Sequence, residues 1–90
     1  MNVAVWDTYV KRDDGNIMHF DILVPDNVTN EQTILNFGKD YLNTKTFQTT
    51  QITASECRLC HIEQATEEIT LSIEKKGYHI IEMENCNSYN

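Results

Sequence analysis

The sequence predicts a small α/β domain (α+β), a four-stranded sheet with two helices in the order β-β-α-β-α-β. Two runs near the start, VAVWDTYV and IMHFDILV, are rich in β-branched and aromatic residues. Two later segments, within VTNEQTILNFGKDYLN and EEITLSIEKK, space their apolar residues three or four apart. Asp14-Gly15, Pro25 and Gly77 punctuate these segments.

The first run, residues 3–10, reads as a strand. KRDDGN follows, with Asp14-Gly15 offering the positive φ of a tight hairpin turn. Residues 17–24 resume strand character, with Met18, Phe20, Ile22 and Val24 on one face. Pro25 ends that strand, because it has no N–H for the ladder.

The first helix is expected to start at Thr29, which with Gln32 three residues on fits a capping box. Ile34, Leu35, Gly38, Tyr41 and Leu42 make its buried face. Gly38 costs about 1 kcal/mol of helix propensity against Ala, which points to close approach of a neighbouring element. TKTFQTT, residues 44–50, reads as a loop into a third strand near QITASEC, with the cysteine segment after it. Thr66 caps the second helix, two acids and two lysines suit its two ends, and Gly77 is its left-handed stop. YHIIEMENC is the last strand and the tail, 88–90, is expected to fray.

Strand–helix–strand steps usually make parallel pairs through right-handed crossovers. The expected sheet is therefore mixed, with both helices on one face of a two-layer sandwich. No repeat or linker divides the chain, so residues 1–87 are expected to form one domain.

Three motifs, WDTYVKRDDGNIMHFDILV, ECRLCH and GYHIIEMENCN, resemble in that order the small bacterial family described as domain of unknown function 2024. The resemblance spans Val3 to Asn87. It implies a compact α/β fold made of this one domain, and it implies no activity. TFQTTQITA lies outside the three motifs.

Composition restricts partners. The 90 residues carry 14 Asp and Glu against 7 Lys and Arg, a formal charge of −7 that repels nucleic-acid phosphates and anionic membranes. No window approaches the ~20 apolar residues of a membrane span. MNVAVWDTYV reads as a strand and not as a signal peptide, so a cytoplasmic location with reduced thiols is expected. So small a chain buries a modest share of its surface, and a homo-oligomer or a bound metal is an ordinary remedy.

The segment ECRLCHIE concentrates the reactive side chains. Cys57-Arg58-Leu59-Cys60-His61 matches the c-type haem attachment pattern, but the compartment is wrong and no enclosing apolar helices accompany it. Zinc or iron could take Cys57, Cys60, Cys86 and His61, with His19 and His79 as alternative ligands. His61 stands where a zinc knuckle usually has glycine, and there is no second Cys-x-x-Cys. Thiol redox chemistry wants a cysteine at a helix start, and the second helix starts several residues beyond Cys60. The simplest reading is reduced thiols that pack as small apolar groups.

The hairpin arms supply a second candidate face in Asp7, Tyr9, His19 and Asp21. An imidazole beside a carboxylate can act as a general base. Loop parity decides who faces whom. An even loop sets His19 opposite Val10 and Asp21 opposite Thr8, whereas an odd loop sets His19 opposite Tyr9 and Asp21 opposite Asp7. A solvated sheet face is the plainer reading of the same residues. No phosphate loop, nucleophile elbow or His-Glu-x-x-His helix occurs. The chain thus reads as a binding or assembly module, with Cys57, Cys60, Cys86 and His61 as candidate rather than established metal ligands, sooner than as an enzyme. The alternative is a thiol redox protein or small enzyme using Cys57 and Cys60, or His19 and Asp21.

Overall fold

The first two strands, β1 (Asn2–Lys11) and β2 (Ile17–Pro25), form the central hairpin of the sheet. The computed structural model describes residues 1–87, and the expected tail at 88–90 lies outside them. Next come α1 (Glu31–Leu42), β3 (Cys57–Gln64), α2 (Glu67–Lys76) and β4 (His79–Glu84), in the expected order. The strands lie β3-β1-β2-β4.

The hairpin loop is odd. Arg12 N–H donates to the Asn16 carbonyl at 2.8 Å, and Gly15 N–H donates to the Arg12 carbonyl at 3.0 Å. Between that pair lie Asp13, Asp14 and Gly15, and Gly15 takes a φ of 89°. This is a turn closed by a left-handed glycine, the common three-residue hairpin connection. It fixes the register in which Tyr9 faces His19 and Asp7 faces Asp21.

The sheet is antiparallel throughout, not mixed. β3 docks on β1 and leaves β2 to β4, so the β2-α1-β3 crossover joins co-directional strands that never touch. The β3-α2-β4 connection runs from one edge to the other. Three strand spacings are about 14 Å, and a ten-residue helix such as α2 spans about 15 Å.

The helices also cover opposite faces, not one. Successive strand residues point to opposite sides. Ala4, Trp6, Val10, Met18, Phe20, Ile22 and Val24 share a buried cluster with Ile34 and Tyr41 of α1. Val3, Val5 and Leu23 share a second cluster with Ile69 and Ile73 of α2. The physical reason lies in the strands. On the central hairpin the first face is apolar from end to end save for the buried Thr8, whereas the second is apolar only at one end. Each apolar area needs a cover, and α2 covers the short one. Beyond it, the second face carries Asp7, Tyr9, His19 and Asp21.

Local signals in the helices fare unevenly. Thr66 caps α2, its side chain accepting from Ile69 N–H, and Gly77 ends that helix with φ 91°. Asn30, not Thr29, caps α1, its side chain accepting from Thr33 N–H at 3.1 Å. One residue further along, it reaches that N–H directly. Gly38 meets Ile22 and Ile52: a Cβ there would lie 2.5 Å from Ile52 Cδ1 and 3.2 Å from Ile22 Cδ1. The close approach inferred from its propensity cost is thus real.

The third strand begins at Cys57, so CRLCH is itself strand and does not follow one. Residues 49–52 instead return along the hairpin end, where Thr50 N–H donates to Lys11 and Arg12 bridges Thr49. Ile52 from this stretch plugs the core beside Gly38.

Candidate functional site

The uncovered end of the second sheet face gathers Asp7 from β1 and His19 and Asp21 from β2. Among the described residues, these three form a group whose ligand atoms lie within 4.8 Å of one another. His19 Nε2 is 2.7 Å from Asp7 Oδ1 and 3.8 Å from Asp21 Oδ1. The strand ladder between β1 and β2 sets the three Cα positions, so the backbone fixes the spacing of the cluster. Tyr9 lies flat against His19, rings 4.2 Å apart and 11° from parallel, and so orients the imidazole.

The two acids differ in charge behaviour. The hydrogen bond from His19 holds the Asp7 carboxyl below the usual range, against the opposing pull of partial burial. Burial pushes Asp21 up to about 6, helped by a hydrogen bond and charge repulsion from Asp7. Oδ1 of Asp21 is buried and accepts no hydrogen bond. Such a group accepts either a proton or a cation. The negative charge of Asp7 also raises the Tyr9 phenol. Asp14 and the rest of the hairpin loop lie beyond this cluster, where Asp14 pairs with Arg12.

The cysteines lie apart from this group. Cys57 is buried in the α1 cluster and its sulfur accepts a hydrogen bond from the Thr8 hydroxyl at 3.3 Å. Burial raises its thiol. Cys60 is exposed, and β3 bulges there: Val5 pairs with His61 and Trp6 with Leu59, leaving Cys60 without an opposite residue. Cys86 is buried just past β4, donating to the carbonyls of His19 and Glu84. All three thiols are free. His61 points to the second face and meets its own neighbour Glu63, 2.6 Å away. Cys57, Cys60, Cys86 and His61 thus do not converge into a ligand group. His79, lowered by burial, sits opposite Leu23 under α2.

One buried group escaped the sequence reading. Arg12, 4% exposed, donates to the carbonyls of Asn85 and Asn87 at 2.9 and 2.7 Å, and lies 3.9 Å over the Phe47 ring. It ties the hairpin end to the segment after β4. Nothing in the residues beside the turn marks it for burial, and only long-range packing makes it a tether.

No helix among the described residues is long and apolar enough to cross a membrane. No curated protein matches the chain. The NMR structure of protein NE1680 from Nitrosomonas europaea, a structural genomics target, is 38% identical to it. That similarity covers 97% of this chain and all of the other, with a TM-score of 0.78. A family model matches residues 1–83. The chain belongs to the family described as Domain of unknown function (DUF2024).

Proposed function

We propose that the protein is a small binding module whose site is the Asp7–His19–Asp21 cluster, and that its ligand is a divalent first-row metal ion. The observation that carries this is the spacing of the three ligand atoms. An ion bonded to N and O at about 2.0–2.2 Å sets its neighbouring ligands roughly 2.9–3.5 Å apart. The two separations from His19 Nε2, 2.7 and 3.8 Å, bracket that range. Small side-chain rotations would close the difference.

The donor chemistry agrees. One imidazole and two carboxylates suit Zn²⁺ or Mn²⁺ better than a thiolate-loving ion. Asp21 Oδ1, buried and without a hydrogen bond, gains a partner when an ion binds. Tyr9 fixes the imidazole plane from one side, and water or a ligand molecule would take the remaining coordination positions on the exposed side. An ion here would exchange its outer ligands, as sites with three protein ligands do.

Isothermal titration with ZnCl₂ and MnCl₂ tests the reading. We expect about one site per chain, lost in Asp21→Asn and His19→Ala and retained in a Cys57→Ser/Cys60→Ser variant. Binding that survives the first two variants, or that vanishes with the cysteines, would return the metal to ECRLCHIE. Affinity should also rise as the pH passes about 6, because the ion must displace the Asp21 proton.

A further inference from the structure

The edge strand β3 is self-complementary, and we infer that the protein dimerises by pairing β3 with β3 of a second copy, antiparallel, to make one continuous eight-stranded sheet. The argument runs through backbone, side-chain face and charge, and it stands apart from the metal reading.

The backbone comes first. In an antiparallel ladder a hydrogen-bonded residue aims both its N–H and its carbonyl at one neighbour, and the next residue aims both away. Ala65 N–H donates to Met1, and Tyr9 N–H donates to Glu56. Counting inward by twos from these pairs, Glu63, His61 and Arg58 point their backbone groups at β1. Cys57, Leu59, Ile62 and Gln64 therefore point theirs outward, away from the sheet. The bulge at Cys60 breaks the alternation and makes the outward pattern symmetric about the middle of the strand.

That symmetry defines a register. With a twofold axis between Cys60 and His61, Leu59 meets the partner's Ile62, and Cys57 meets the partner's Gln64. All four have outward backbone groups, so each pair can exchange two hydrogen bonds. Between them, Arg58 meets the partner's Glu63 in the close, non-hydrogen-bonded spacing where side chains interact most.

The faces agree as well. Arg58 lies opposite Asp7 and Glu63 opposite Val3, both on the α2 side of the sheet. Leu59 lies opposite Trp6 and Ile62 opposite Ala4, both on the α1 side. Without the bulge, residues five apart would point to opposite faces. With it, two cross-strand ion pairs form on one face and two apolar pairs on the other. Arg58 uses Nε toward the Ser55 carbonyl and Glu63 one oxygen toward His61, so each keeps further hydrogen-bonding capacity.

Exposure supplies the motive. Leu59 and Ile62 are 53% and 49% exposed, and every residue of β3 after Cys57 is exposed. A long unpaired edge of this kind normally carries a protective device. The opposite edge has one: β4 is six residues long with Glu82 and Glu84 and no Lys or Arg, so self-pairing there would oppose like charges.

Sedimentation equilibrium of the full chain, with reduced thiols, tests this. We expect a species of twice the 10.5 kDa chain mass. Arg58→Glu and Glu63→Arg should each raise the dimer Kd about tenfold or more by opposing like charges, and the double variant should recover most of the affinity. Ile62→Pro should abolish the dimer, because it removes an outward N–H and none from the β1 ladder. Circular dichroism of each variant checks that the fold is kept, and if the proline variant unfolds, the charge-swap trio decides alone. A monomer up to about 1 mM, or a dimer indifferent to both single charge reversals, would overturn the proposal.

Discussion

His19 Nε2 lies 2.7 Å from Asp7 Oδ1 and 3.8 Å from Asp21 Oδ1, so a single imidazole edge faces two carboxyls from adjacent strands. One of those carboxyls is hydrogen-bonded and easily ionised, and the other is half-buried with an orphan oxygen. The hairpin holds them together against their mutual repulsion.

That tension makes stability depend on pH. Asp21 titrates near 6 in the fold and near the ordinary carboxylate range when unfolded. Between roughly pH 4 and 6 the folded state holds the extra proton, so this group's contribution is full below that window and is lost as pH rises through it. Asp7 works in the opposite sense at lower pH, below about 4, where its His19 partnership is lost on protonation. Asp21→Asn should therefore be more stable than the parent at pH 7.5 and nearly equal to it at pH 4. Urea unfolding at the two pH values measures the difference; an equal gain at both would remove the titration argument.

The three thiols should differ in reactivity. Cys60 is exposed, whereas Cys57 is buried, hydrogen-bonded to Thr8 and raised by burial. An aromatic disulfide reagent should label one thiol of the native protein quickly, and Cys60→Ser should remove that fast phase. Cys57 and Cys86 should react only on unfolding. Fast labelling of two thiols in the native state would contradict the burial of one of them.

Arg12→Met should destabilise the fold by about 2–3 kcal/mol, although the substitution keeps much of the apolar stem. The loss comes from two backbone carbonyls left without their donor and from the Phe47 stack. Denaturant unfolding gives the number, and a change within ~0.5 kcal/mol would show that water replaces the guanidinium without penalty.

Gly77→Ala should cost about 1–2 kcal/mol, since the residue holds φ at 91° and its new Cβ would press on Phe37 at 3.3 Å. Thermal unfolding at constant pH reads this directly. An unchanged midpoint would mean that the helix end relaxes into another cap.

The sequence by itself determined the type and order of the elements, and the approximate bounds of all but the third strand, which lies at Cys57–Gln64 and not before the cysteines. Strand and helix periods, the Thr66 cap and the Gly77 stop are all set by residues within a few positions of one another. The helix cost of Gly38 signalled a close contact, although its partners Ile22 and Ile52 lie far along the chain. Local chemistry of this kind leaves its mark on local sequence. Even the members of the candidate cluster, Asp7, Tyr9, His19 and Asp21, were legible as polar positions on two apolar strands. Their meeting was not, because one residue in the hairpin loop decides it and Asp13-Asp14-Gly15 is compatible with either parity on composition alone.

Only the tertiary structure decided the rest. β3 chose β1 as its neighbour, which made the sheet antiparallel and sent α2 across the opposite face from α1. It also drew Cys57 into the core and left Cys60 on a bulge, dispersing a motif that looked like one site. Strand partners and helix faces are chosen by how apolar areas from distant segments cover each other. That is a property of the assembled sheet, and no short stretch of chain encodes it.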